Sequence, residues 1–549
     1  MDGIEEEQKT VVKGTFWGLA GSIALKLVSF IYVIIVARLF AQDDVGTFYL
    51  ALSILGMIAV FSDLGFGSAF MRYVPFYMGK GQKDKVYSLL RAGYLFAGLL
   101  TIVATAVLFL LAGQIGDFFR NPSLELPLQI LSLYFLTNTF FSLNACFLSG
   151  RKLAKENNIL NTGQNVLKLI FTLVLFFALG ATMEALAIGF AASFVAVTLA
   201  SFIYVGSDVK KLGIGGLRIT SGEQLAMVKE VLPFGLVLSL VLSFWVFISY
   251  TDKVMLAYLM PGPEAAAAVA VYAIATALAG VIAIFPGAVG SIFFPTISEL
   301  RGKGKQEEML KLSVSASRWI IFLTAPLTIV LVAYPEELLQ MFYGAGYAAG
   351  AGALMIFSIG MFVRALSQVQ SSMIAASRLV RIELYAAGGA ALANVALNWM
   401  LIPIYGINGA AAASMISFVI VTLLLIYYCW KKFGFGFPRE LYTPIAALVI
   451  AVAVMLAFRG WTGALTGFTP ELPGMEGIGA AIAQKIIKLA VLGVLFAASC
   501  ASYFLLLIMF KAIKKEDVSL LSSSLRRIKA PAGFIRAVEG ILGLRGWAD

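Results

Sequence analysis

From residue 15 to residue 510 the sequence repeats one arrangement, a run of about twenty apolar residues and then a short polar break. At about 1.5 Å per helical residue, each run crosses a hydrocarbon slab of roughly 30 Å. No water is present at that depth to satisfy backbone N–H and C=O groups, so a spanning segment must satisfy them itself, as a helix does. The composition fits a chain dissolved mainly in lipid: 60% hydrophobic and 13% charged, with a mean hydropathy of +0.91. Soluble domains carry about a quarter charged residues. Spans are expected near 15–40, 46–71, 91–112, 126–149, 158–180, 183–206, 230–259, 266–297, 313–334, 350–374, 384–402, 407–430, 441–460 and 479–510. The expected fold class is therefore an all-α integral membrane protein of about fourteen transmembrane helices.

Several chemistries are excluded early. There is no histidine, and Cys146, Cys429 and Cys500 lie far apart in apolar runs. That pattern argues against zinc chemistry, a histidine triad and a disulfide framework. Gly79-Lys80 and Gly302-Lys303 continue into glycine, and Gly304-Lys305 into Gln306, not into the Ser or Thr of a phosphate loop. No cofactor is expected. The start, Met1 to Thr10, is acidic where a signal peptide would be basic, so the first span reads as retained.

Charge sets the topology. With the N-terminus in the cytoplasm, most of the 41 Lys and Arg residues fall in cytoplasmic segments, while the opposite face keeps little beyond Arg38, Arg120 and Arg459. This is the positive-inside pattern, and it predicts a multi-pass protein of the plasma (inner) membrane with both termini cytoplasmic. The net charge of +11 then reflects topology and contact with anionic membrane lipid, not a nucleic-acid partner.

Sliding the chain on itself uncovers a duplication. At an offset of 223, Phe76 to Lys83 falls on Glu299 to Gln306 and Tyr49 on Tyr272. At an offset of 226, Leu153 meets Leu379, Lys155 meets Arg381, Gly180 meets Gly406 and Ala185 meets Ala411. The expected organisation is a six-helix lobe at 1–206, an amphipathic cytoplasmic linker at 207–229, a second six-helix lobe at 230–430, two additional helices at 441–510 and a basic cytoplasmic tail at 511–549. Six is even, so both lobes enter the membrane from one side and a guest would bind between them.

Charges at membrane depth mark candidate sites, because each costs about 2.5–3.5 kcal/mol near the bilayer centre. Lys26, Lys168 and Arg364 are such cations. Asn161, Gln164, Asn165, Lys168 and Thr172 recur at three- and four-residue steps, which puts them on one helical face; Arg364 shares a face with Gln368 and Ser371. The offsets carry Arg364 to Asn138, Lys168 to Asn394, Lys26 to Ser249 and Asp252 to Ser29. Lys26, Asn138, Gln164, Lys168, Arg364, Gln368 and Asn394 are thus expected to line a hydrophilic, cationic chamber suited to an anion such as a pyrophosphate. The plainer alternative is that each cation meets a carboxylate on a neighbouring helix or snorkels to the interface. Asp63 reads as the cap of a helix break at its glycines or as an ion-coupling group. Asp252 reads as an ion-coupling group or as a local ion pair with Lys253.

Several motifs carry a family resemblance. They are Arg38-Leu39-Phe40 with Asp44-Val45-Gly46-Thr47-Phe48-Tyr49; Asp63-Leu64-Gly65; Asp252-Lys253 followed by Tyr272; and Leu397 to Ala411, which contains Asn398-Trp399 and Tyr405-Gly406-Ile407-Asn408-Gly409. Over about residues 10–430 the chain resembles the polysaccharide transporter, or Wzx-type flippase, branch of the multidrug/oligosaccharidyl-lipid/polysaccharide (MOP) superfamily. The resemblance implies a MOP/MATE-like, two-lobed helical transporter, not an enzyme. Such a protein flips polyprenyl-linked oligosaccharide to the outer leaflet by alternating access, with a proton or sodium as coupling ion. Its partners would be the lipid-linked glycan, membrane lipid, and glycosyltransferases or a polymerase of the same pathway. A multidrug or organic-cation antiporter of the same superfamily is the alternative, although mid-depth cations disfavour it. A membrane glycan polymerase or transferase stands further off, since no long catalytic loop interrupts the spans.

Overall fold

The computed structural model describes residues 26–59, 62–214, 220–260, 264–377, 379–459 and 478–513. The acidic start, the first part of the first span, the loop 461–477 and all but the first residues of the tail lie outside the described residues. Eleven helices among the described residues are long and apolar enough to cross a membrane. The chain continues from a helical run at 26–39 into α1 (Gln42–Ala59), α2 (Phe66–Gly79), α3 (Lys83–Phe118), α4 (Glu125–Gly150), α5 (Ala154–Leu179) and α6 (Met183–Lys211). There follow α7 (Ser221–Leu259), α8 (Glu264–Ala279), α9 (Ile284–Gly302), α10 (Gln306–Ala333) and the short α11 (Pro335–Tyr343). The series ends with α12 (Ala351–Leu366), α13 (Gln368–Ala376), α14 (Val380–Phe433), α15 (Tyr442–Ala457) and α16 (Ile478–Met509).

The departures from uniform spans have local causes. The expected span 46–71 is two helices, α1 and α2, because Leu64 and Gly65 take φ of 48° and 81° and interrupt the ladder. The carboxylate of Asp63 accepts from the Gly65 and Gly67 amides at 2.9 and 3.1 Å, satisfying donors that the new helix end exposes. The expected spans 384–402 and 407–430 share the 54 residues of α14, which as one straight rod would be about 80 Å long, far beyond the membrane. Gly406, with φ 55° and ψ −130°, divides it into two helices, in a conformation that suits a residue without Cβ. At the start of α7, Thr220 and Glu223 form a reciprocal capping box. The Thr220 N–H and hydroxyl both donate to the Glu223 carboxylate and hold it below its ordinary value.

Two compact packing units result. The first holds Met1–Val281, Phe342–Phe357 and Val380–Ile420; the second holds Ile282–Met341, Ser358–Leu379 and Val421–Asp549. They differ from the duplicated halves, which rest on sequence symmetry. In the first unit the resemblance motifs prove to be packing devices. A Cβ on Gly46 would lie 1.7 Å from the Ala266 carbonyl oxygen, so only glycine lets α1 touch α8 backbone to backbone. Arg38 Nε donates to the Phe342 carbonyl at 3.0 Å and Gln42 Nε2 to that of Gly346 at 3.1 Å, pinning the 342–346 segment. In the second unit, α15 and α16 pack on α10 through Ile321, Ile329, Leu448, Ala451, Tyr503 and Leu507. The large side chains left outside, such as Phe177, Leu110 and Leu392, match a hydrocarbon solvent.

Candidate functional site

Two buried charges in the first unit stand out, one acidic and one basic. Asp252 lies in α7 and is 2% exposed. Its Oδ1 accepts from Asn398 Nδ2 at 2.7 Å and Asn394 Nδ2 at 3.2 Å; its Oδ2 accepts from Ser414 Oγ at 2.6 Å and from the Tyr272 hydroxyl. The four-residue step from Asn394 to Asn398 puts both amides on one face of α14, and Gly406 turns the chain so that Ser414 also reaches the carboxylate. Lys253, the sequence neighbour, instead donates to the Ser249 carbonyl at 2.7 Å. The carboxylate is thus held by neutral donors, and Asn398 Oδ1 is buried without a hydrogen-bond partner among the described residues.

Lys168 is the counterpart. On α5 the buried residues are Leu160, Gln164, Asn165, Lys168 and Thr172, so the inward face of this helix is polar and its apolar faces look outward. That is the stripe read from the sequence. The ammonium donates to Asn165 Oδ1 at 2.9 Å and sits 4.3 Å from the centroid of the Tyr32 ring and 5.7 Å from that of Phe190. No carboxylate pairs with it among the described residues. An ammonium has three donors, and π faces attract its charge without consuming them. Gln164 Nε2, on the same face, reaches Ser193 Oγ at 3.5 Å.

The other expected residues divide. Asp63 and Asn138 line one pocket of about 260 Å³ between α2, α4 and α7, together with Ser142, Cys146 and Ser243. Asn394 joins Asp252, as described. Lys26 is exposed at the edge of the described residues. Arg364, half-buried in the last turn of α12, and Gln368, at the start of α13, belong to the second unit. Gln368 leans on α9, where a Cβ on Gly290 would lie 2.8 Å from its Nε2.

Sequence reasoning missed Tyr272, Asn398 and Ser414 as partners of Asp252, and Tyr32 as the platform for Lys168. A signal existed for Asn398, four residues from Asn394, and for Tyr272, the repeat mate of Tyr49. Ser414 and Tyr32 carry none, since a serine or tyrosine in an apolar run is commonplace.

Comparison with known proteins agrees with this architecture. A family model described as polysaccharide biosynthesis protein matches residues 11–301. An uncharacterized membrane protein of Methanocaldococcus jannaschii is 23% identical over 77% of this chain and 85% of its own. A putative O-antigen transporter of Shigella flexneri is 22% identical over 76% of this chain and 97% of its own. Among solved structures, the lipid II flippase MurJ in an inward closed conformation superposes with a TM-score of 0.62 at 16% identity, covering 87% of this chain and 98% of that one. With more than half its length matched by the family model, this membrane protein belongs to the polysaccharide biosynthesis protein family and has the helical fold of MurJ.

Proposed function

We propose that the chain is a flippase, not an enzyme, that carries a polyprenyl-(pyro)phosphate-linked oligosaccharide or polysaccharide repeat unit from the cytoplasmic to the outer leaflet. The observation that carries this reading is Lys168, a buried ammonium held by one amide and two aromatic faces, not by an acid. A charge kept unneutralised at membrane depth is costly unless it has an anionic guest, and the pyrophosphate of a lipid-linked glycan is such a guest. The names of the Shigella relative and of MurJ point the same way. Lys26 and Gln164, which share the packing unit of Lys168, are assigned to the same path on their depth and chemistry. The two repeats, 1–206 and 230–430, would rock about this path in alternating access from an inner membrane in which both termini are cytoplasmic. Reconstituted vesicles holding a fluorescent lipid-linked glycan test this directly. Wild-type protein should expose the label to an outside quencher and Lys168→Met should not; equal exposure with both would defeat the assignment.

Asp252 supports ion coupling within the same reading. Its surroundings offer a carboxylate, two amides and a serine hydroxyl, all oxygen-bearing groups from three helical segments. Amide orientation is an assignment, and turning Asn394 and Asn398 would present their oxygens to a sodium ion. The unpartnered Asn398 Oδ1 fits such a role. Flipping in sodium and in potassium buffers at two pH values should separate sodium from proton coupling, and Asp252→Asn should remove the dependence.

A further inference from the structure

We propose that the pocket between α2, α4 and α7 is a monosaccharide subsite, in which Asn138, Asp63 and Ser243 read the hydroxyls of one sugar ring of the transported lipid. The inference rests on the flippase reading and goes beyond it, because it gives the glycan, and not only its diphosphate, a recognition site.

Size is the first argument. At about 260 Å³ the pocket falls below the roughly 300–1,000 Å³ of sites for drug-sized ligands. At ~30 Å³ per water it holds about nine, which suits one hydrated or sugar-filled space and not a whole oligosaccharide. Chemistry is the second. Hydroxyls of Ser62, Thr139, Ser142, Ser239 and Ser243 line the walls with the Asn138 amide. Ser62, Thr139 and Ser243 donate their own protons to Ala59, to Ser62 and Phe135, and to Ser239. That turns their lone pairs to accepting from a sugar hydroxyl, and an amide can grip two adjacent hydroxyls at once. Asn138 makes no hydrogen bond among the described residues, so its donors and acceptor are available to the pocket that it lines. Met71, Leu242 and Val246 supply apolar wall for the C–H face of a ring.

Charge is the third argument, and it discriminates. Among the described residues no Lys or Arg lines the pocket, so a diphosphate has no counter-charge from them there. The single acid among the described lining residues, Asp63, already accepts from the Gly65 and Gly67 amides, and the start of α2 offsets its charge. Its carboxylate is thus fixed in place and partly neutralised, with lone pairs left over, which suits a hydroxyl donor better than a bare cation. Rigidity is built in as well. Gly65 and Gly235 meet backbone to backbone, a Cβ on Gly65 lying 2.3 Å from the Gly235 carbonyl carbon, which locks α2 against α7 beside the pocket.

The test measures binding of undecaprenyl diphosphate, bare or carrying glucose, galactose or N-acetylglucosamine, by native mass spectrometry of the detergent-purified full chain. Wild-type protein should bind at least one sugar-bearing lipid about tenfold tighter than the bare one, as two or three hydrogen bonds allow. Asn138→Leu and Ser243→Val should each shrink that difference while leaving the bare lipid bound as before. Bare and sugar-bearing lipids bound alike by wild type, with Lys168→Met weakening both, would overturn the subsite and leave the flippase reading standing. Wild-type protein that binds neither lipid would overturn both. Cys146 gives a readout that needs no substitution, since it lines the same pocket. The sugar-bearing lipid, and not the bare one, should slow its alkylation by N-ethylmaleimide several-fold. Equal slowing by both lipids, or slowing by sodium chloride over potassium chloride, would overturn the assignment.

Discussion

Lys168 and Asp252 occupy related places in the two halves of the duplication, yet their environments are opposite in kind. The offset of 226 carries Asn394 and Asn398, which hold Asp252, onto Lys168 and Thr172, and the offset of 223 carries Tyr272 onto Tyr49. Where the second half surrounds an acid with four neutral donors, the first half puts a base among one amide and two aromatic rings. A fully hydrogen-bonded buried charge ties helices together; a charge resting on π faces keeps donors available for a guest. The two regions that the sequence offset relates thus carry an acid ringed by neutral donors in one case and a base on aromatic faces in the other.

The comparison breaks most visibly through stability. Asp252→Leu strands two amides, a serine and a tyrosine hydroxyl, and should destabilise the fold by about 3–5 kcal/mol, read as a lowered unfolding midpoint in mild detergent. Asp252→Asn, which keeps most of these contacts, should cost much less. Lys168→Met should do the reverse. It removes an acid-free buried charge, so the midpoint should hold or rise, while flipping in vesicles falls about a hundredfold with the loss of a charge-assisted contact. A midpoint that drops as far for Lys168→Met as for Asp252→Leu would make the two sites equivalent and end the contrast. Asn165→Asp sharpens it: a carboxylate 2.9 Å from the ammonium would occupy it internally, and flipping should fall about tenfold in a well-folded protein. Tyr32→Leu should have the smallest effect, about threefold on flipping, in line with a cation–π contact of about 0.5–2 kcal/mol.

Much of this was legible before any coordinates. The polar stripe of α5 follows from three- and four-residue spacing, and it is the buried face of that helix. Asp63 before two glycines reads as a cap at a helix break, and its carboxylate accepts from both glycine amides. The repeat singles out Asn394 as the mate of Lys168, but not as a partner of Asp252. The partners of Asp252 were not legible as a set, because Tyr272, Asn398 and Ser414 stand 20, 146 and 162 residues away from it. Nothing local in a sequence ties such positions together. The pocket that joins Asp63 to Asn138 was hidden for the same reason, since its walls come from three helices.

By itself the sequence determined the solvent, the helical class and the family motifs, all of which depend on local composition, spacing or direct repetition. Tertiary structure alone decided which buried charge is ringed by four hydrogen-bond donors and which rests on one amide and two aromatic rings. Hydrogen-bond partnership requires atoms within about 3 Å of one another, and only the packing of distant helices brings them there.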